Sequence, residues 1–116
     1  ARPEVLANER GGRNASLILC IPQDTLDPWL KFWFESLRDR NARARIDVRI
    51  RRLSMGNPGD VKPVGQGVSE LRIDYGPGYQ VYFIQRGETL IILLAGGDKG
   101  TQERDIKTAL DLAQDL

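Results

Sequence analysis

Residues 68–95 read VSELRIDYGPGYQVYFIQRGETLIILLA, and the spacing of their apolar positions decides the fold. Ser69, Leu71, Ile73 and Tyr75 alternate with Val68, Glu70, Arg72 and Asp74, a period of two that marks a strand with unlike faces. Gly76-Pro77-Gly78 is a turn signal, and beyond it Tyr79, Val81 and Phe83 alternate with Gln80, Tyr82 and Ile84. Arg86-Gly87-Glu88 is a second tight turn. Thr89 to Ala95 does not alternate, which predicts a central strand buried on both faces. The run Gly96-Gly97-Asp98-Lys99-Gly100 is expected to break that strand. A three-residue turn at 76–78 would set Tyr75 opposite Tyr79, Asp74 opposite Gln80 and Arg72 opposite Tyr82. Leu71, Ile73, Val81 and Phe83 then share a face for helices to cover. Glu70, Arg72, Asp74, Gln80 and Tyr82 share the other, which such polarity leaves to solvent or to a site.

Upstream of the sheet the period changes to that of helices. Asp27-Pro28 is a helix start, since Asp caps free N–H groups and Pro fits the first helical position. Leu26, Leu30, Trp33 and Leu37 form one apolar stripe. The short polar stretch from Arg38 to Asn41 predicts a second helix turning back on the first. Ala42, Ile46, Ile50 and Leu53 are its apolar stripe, and Gly56-Asn57-Pro58-Gly59 ends it. Leu17 to Ile21, ended by Pro22, suits an edge strand. Residues 1–16 have no period and read as a flexible or irregular tail. Downstream, Thr101 is placed to cap a last helix with the stripe Ile106, Leu110 and Ala113. Residues 17–116 therefore read as a single α+β domain: an N-terminal strand and a helical hairpin packed on an antiparallel sheet, with a short C-terminal helix.

Composition bounds the chemistry. A chain of 116 residues, 41% of them hydrophobic, can bury a core without disulfides or metal. No apolar run approaches the ~20 residues of a membrane helix, and the first stretch lacks the apolar region of a secretory signal. The single Cys20 lies in LILCIP and reads as a small core residue. A cytosolic location, no membrane and no cofactor are the expectations. There is no histidine, which excludes a His-based triad, a His-ligated zinc site and a paired-histidine nuclease. Net charge is only +1, but seven of the thirteen arginines lie between Arg38 and Arg52. That distribution points to a polyanion, RNA before others, although it also suits an acidic protein surface.

The blocks LRDRNARARIDVRIRRLSMGNPGDVKPVGQGVSELRIDYGPGYQVYF and LLAGGDKGTQERDI resemble the addiction-module killer proteins, the HigB-like toxins of the RelE/ParE superfamily of type II toxin–antitoxin systems. The likeness runs from about Trp33 to Ala113. It implies a RelE/ParE-like fold, a metal-independent endoribonuclease (mRNA interferase) activity on messenger RNA at the ribosome, and a cognate antitoxin, often a helix-turn-helix protein. Two alternatives stand beside it: a ParE-like inhibitor of DNA gyrase, and an attenuated relative acting mainly as antitoxin partner or corepressor.

RNA cleavage by the substrate's own 2′-OH needs a base, positive charge at the phosphorus and an acid for the leaving oxygen. Arg72 is the first choice for phosphate, because a guanidinium grips it bidentately; a cross-strand pair with Glu70 or Asp74 is the structural alternative. Lys99 follows the last strand in a glycine-rich corner and matches, by resemblance, a basic catalytic position. Asp98 beside it would orient it or act as base, unless the pair is a hydrated turn. Lys62, in the loop GDVKPVG, is a further cation for that face. Tyr82 is a candidate to stack on a base or bond a phosphate, or an ordinary sheet aromatic. Arg43, Arg45 and Arg49 are candidates for spread phosphate contacts, or a solvated helix face. Trp29 and Trp33 read as core. The resemblance implies arginine at position 80 as the group holding the scissile phosphate; Gln80 stands there, which implies weakened catalysis, and Gly100 is a smaller departure from serine.

Overall fold

The computed structural model describes residues 4–5, 17–20, 29–87 and 90–115. In chain order the elements are β1 (Glu4–Val5), β2 (Leu17–Cys20), α1 (Trp29–Ser36), α2 (Arg40–Ser54), β3 (Val61–Gly65), β4 (Val68–Ile73), β5 (Tyr79–Arg86), β6 (Leu90–Asp98), a 3₁₀ turn (Lys99–Thr101) and α3 (Gln102–Gln114). The strands form one sheet in the order β1-β2-β6-β5-β4-β3. From β6 to β3 it is a four-stranded antiparallel meander; β2 joins β6 in parallel and β1 closes on β2 antiparallel. The α+β reading holds.

The helices split the core in two. Ile46, Leu71, Ile73, Tyr79, Val81, Phe83, Ile91 and Leu93 fill one side of the sheet, with Trp33, Leu37 and Ile50 packed against them. On the other side α3 brings Ala109, Ile106 and Leu110 onto Val68, Tyr82, Ile84, Ile92 and Leu94. Each fully buried aliphatic side chain contributes roughly 1.5–3 kcal/mol. β6 feeds both cores, as its unbroken apolar run requires. The α2 stripe also holds, with Ala42 and Ile46 fully buried; of the first helix's stripe, Trp33 packs tilted on Tyr79 at 6.3 Å between ring centroids. Asp39 caps α2, its Oδ1 accepting from the N–H groups of Asn41 (2.9 Å) and Ala42 (3.2 Å).

Several expectations are corrected. Glu4–Val5 pairs with β2, so the 1–16 segment contributes a strand. β2 is consequently an inner strand, with β6 on its other side. β3 lies within what reads as a loop; Lys62 and Pro63 hide it, and proline is tolerated because β3 is the sheet edge. Its hairpin turn has positive φ at both Gln66 (53°) and Gly67 (80°), the conformation whose twist suits two strands. β6 continues through Gly96, Gly97 and Asp98, paired with Val81, Gln80 and Tyr79. The β4–β5 register is two residues from the expected one: Arg72 faces Gln80 and Glu70 faces Tyr82. A shift of two preserves every face, whereas a shift of one would invert them. Leu26 and the helix start Asp27-Pro28 lie outside the described residues.

Candidate functional site

One end of the sheet gathers the start of β3, the ends of β4 and β6 and the start of β5. There the Arg72 guanidinium is held by an aspartate that the sequence did not single out. Asp60 Oδ1 accepts from Arg72 Nη2 (3.0 Å) and Nε (3.2 Å), while Arg72 N–H donates to the Asp60 carbonyl at 2.9 Å. The partner is thus neither Glu70 nor Asp74. The hydrogen bond and charge of Asp60 raise the Arg72 pKa further above its ordinary value. Both side chains are about half exposed, at 44% and 53%. As a stabilising contact such a pair is worth little. Its effect is orientation: two N–H groups are fixed on Asp60, and Nη1 has no partner among the described residues.

Lys62 and Lys99 are both exposed, and neither forms an ion pair among the described residues. Lys62 stands opposite Glu70 on the edge strand, diagonal to Arg72. Lys99 leaves the end of β6 beside Gly78, whose carbonyl accepts its backbone N–H at 3.1 Å. Asp98 is a cap: its Oδ1 accepts from Gly100 N–H at 2.8 Å, and Thr101 completes a capping box. That fixes the corner carrying Lys99 and ties up one carboxylate oxygen. Gly100 provides the N–H, and a serine there would bring its Cβ to 3.2 Å from that Oδ1.

The polar sheet face is divided: α3 covers Glu70, Gln80 and Tyr82, while Arg72 and Asp74 at its end stay exposed. Tyr82 is fully buried, so it neither stacks on a base nor bonds a phosphate. Its hydroxyl donates to Glu70 Oε2 (2.9 Å), which also accepts from Gln102 Nε2 (2.8 Å). Burial, with the Glu70 bond second, pushes the Tyr82 phenol pKa well up. Gln80 is 4% exposed and cannot reach a substrate. Gln80 Oε1 and Glu70 Oε1 are buried without a hydrogen-bond partner among the described residues. Beyond Gln80 lies Gly97, its β6 partner, and a Cβ there would stand 1.8 Å from Asp105 Oδ2. Asp105 is in turn bonded by the Thr101 hydroxyl at 2.5 Å. This layer docks α3 rather than binding a ligand, and its apolar stripe alone does not announce it: Gln102 and Asp105, three apart on α3, are the missed signal.

The α2 arginines have separate fates. Arg49 is withdrawn from solvent duty, bonding the carbonyls of Arg72, Pro58 and Asp60. Arg45 lies over the Tyr75 ring, 4.7 Å from its centroid. The Tyr75 hydroxyl bonds Asp39 at 3.0 Å and holds that carboxyl below the usual carboxylate range. Arg43 is half-buried, and Arg51 pairs with Asp47 at 3.0 Å. Arg45, Arg49 and Arg52, with Asn41, Val48, Ile73 and Asp74, line an open groove of about 630 Å³. Arg49 reaches only the main-chain carbonyl of Arg72, and the Arg72 side chain is not part of the groove's lining. No cluster of three or more potential metal ligands occurs among the described residues, nor any helix long and apolar enough to cross a membrane.

An uncharacterized protein of Haemophilus influenzae is 52% identical to this chain over 84 residues, covering 72% of this chain and 85% of the relative. No family model matches the chain. No solved structure matches it.

Proposed function

The chain belongs to the same family as that Haemophilus influenzae protein, and we propose that it is a HigB-like toxin of the RelE/ParE class. In this reading it is a metal-independent endoribonuclease that cleaves messenger RNA on the ribosome in the cytoplasm, restrained by a cognate antitoxin, a helix-turn-helix protein. The observation that carries the reading is the half-exposed Arg72 guanidinium, held through Nε and Nη2 by Asp60, with the exposed Lys62 diagonal to it on the neighbouring strand. The strand, paired helices, antiparallel sheet and C-terminal helix support a RelE/ParE-like fold.

The chemistry assigned to this chain is electrostatic. The RNA 2′-hydroxyl gives its proton to the free carboxylate oxygen of Asp98 as its oxygen forms a bond to the adjacent phosphorus, and the bond to the 5′ oxygen breaks, leaving a cyclic phosphate and, once protonated, a 5′-hydroxyl. Arg72 neutralises the charge that builds on the phosphorane oxygens. Arg72 and Gly97 flank Gln80, so their backbones are roughly 10 Å apart, and Lys99 follows two residues after Gly97, a span that two long side chains can close on one phosphodiester. Lys99 is placed to give a proton to the leaving oxygen, Lys62 adds positive charge, and Asp98 holds the Lys99 corner. Arg45 and Arg52, on the α2 side of the sheet, add positive charge for more distant phosphates. Tyr82, Gln80 and Arg49 have no contact with RNA in this assignment. Because position 80 is buried, Gln80 no longer argues for an attenuated relative.

The test is incubation with translating ribosomes and mapping of message 5′ ends. New ends that vanish in Arg72→Ala and Lys99→Ala are expected. No cleavage, or cleavage indifferent to both substitutions, overturns the reading; arrest of DNA supercoiling instead would favour the gyrase-inhibitor alternative.

A further inference from the structure

We infer that Arg49 is a positioning residue for Arg72, an assignment that rests on the reading of Arg72 as the phosphate-binding group. The sequence offers Arg49 as one more cation on an arginine-rich helix. Its guanidinium is instead spent on main chain. Nη1 donates to the Arg72 carbonyl (2.6 Å), and Nη2 donates to the carbonyls of Pro58 (2.8 Å) and Asp60 (3.3 Å). These carbonyls belong to two separate segments, the end of β4 and the approach to β3. Only a planar fork with several fixed N–H groups spans them; the point charge of lysine does not.

The turn is shaped to receive the fork. Gly59 has φ +73°, and a Cβ there would sit 3.0 Å from Arg49 Nη2. Any side chain at 59 would meet both strained backbone and the guanidinium. The Asp60 carbonyl accepts from Arg49 on one side and from Arg72 N–H on the other. Residue 60 therefore has a fixed backbone, and its carboxylate stays where Arg72 Nε and Nη2 meet it. An exposed Asp–Arg pair without such an anchor exchanges freely with water. With it, Arg72 is ordered before a phosphate arrives and loses less freedom on binding.

The test compares wild type, Arg49→Lys, Arg72→Ala and the double variant for binding a single-stranded oligoribonucleotide of mixed sequence, at a temperature where melting curves show all four folded. Arg72→Ala is expected to weaken binding on the order of tenfold. Arg49→Lys is expected to weaken it about two- to tenfold, the worth of ordering one long side chain. Arg49→Lys should then add nothing in the Arg72→Ala background. A merely structural or a direct phosphate-binding role predicts the same loss in both backgrounds, and that result overturns the inference. The second readout is the Arg72 Nε–H proton by NMR, expected to exchange slowly in wild type and fast in Arg49→Lys and Gly59→Ala, while α3 amides keep their protection. Slow exchange in both variants refutes the positioning role. If Arg72→Ala leaves RNA binding intact, the phosphate reading falls, and the NMR result still decides whether Arg49 orders Arg72.

Discussion

Replacing Gln80 by arginine should stabilise this protein rather than supply a phosphate clamp. Position 80 is 4% exposed; Arg72 is its direct partner on β4, and two carboxylates lie near it on the same face. Diagonal to it on β4 is Glu70, 1% exposed, whose Oε2 takes bonds from Tyr82 and Gln102 while Oε1 takes none among the described residues. On the β6 side Asp105 lies over Gly97, the partner of Gln80. The cation nearest Asp105 is Arg104, at 3.7 Å and largely in solvent. An unpaired buried acceptor costs about 1–3 kcal/mol, and Gln80→Arg removes one such oxygen and gives the other a donor. The gross gain is about 2–6 kcal/mol. Desolvation of the guanidinium, several kcal/mol for an isolated ion, and about 0.2–1 kcal/mol of repulsion from Arg72 directly opposite take back a large part. A net gain of about 1–3 kcal/mol is expected, or a rise in Tm of about 5–15 °C for a domain of this size. Thermal and urea melts of wild type, Gln80→Arg and Gln80→Met measure it. The Met variant removes only its own orphaned oxygen and should gain less. A Gln80→Arg protein that melts at or below wild type, or no higher than Gln80→Met, refutes the argument. So does a salt dependence of RNA binding steepened by about 0.7–0.9 in the log–log slope, because that would put residue 80 on a phosphate.

Three further outcomes are expected. Ile46→Ala, at a fully buried site, should cost about 2–5 kcal/mol in urea unfolding, and Ile50→Ala, only partly buried, should fall at or below the low end of that range; equal losses would show that Ile50 is as central as its stripe suggests. Gly97→Ala should cost about 1–3 kcal/mol, since its Cβ collides with Asp105 Oδ2; Asp105→Ala in the same chain should relieve part of that loss, and strict additivity would mean the clash is absorbed elsewhere. Tyr82→Phe should cost about 1–3 kcal/mol near neutral pH by taking a donor from Glu70. The folded Tyr82 pKa is raised, so the tyrosine's contribution is complete below the unfolded value of about 10 and is lost as pH rises beyond it. Stability should therefore fall less steeply above pH ~10 in Tyr82→Phe, and parallel curves would count against the buried phenol.

The period of the sequence was enough to separate Leu71, Ile73, Val81 and Phe83 from Glu70, Arg72, Gln80 and Tyr82, and to place Ala42 and Ile46 on one helix face. Side-chain alternation is a local property of the backbone, so it survives an error in turn length. It survived here, where the β4–β5 register differs by two residues. Charge clustering was equally legible, because it needs only a count.

What the polar face does was settled by tertiary structure alone. Polarity says that Glu70, Gln80 and Tyr82 need partners; it does not say whether water, a ligand or α3 provides them. The answer came from Gln102 and Asp105, far along the chain, and from Gly97, which leaves room for the Asp105 carboxylate. The same holds for Arg72 and Asp60. Counting back from the Gln66-Gly67 turn sets Val61 opposite Arg72, but an irregularity between Pro63 and Gly65 moves the register so that Val61 faces Leu71. A bulge of that kind is a compromise between strand twist and packing, and no local pattern encodes it. The sequence by itself therefore determined which faces exist and which residues share them. Which face is covered, and which arginine is spent on the backbone instead of left for a ligand, depends on segments meeting across long stretches of chain.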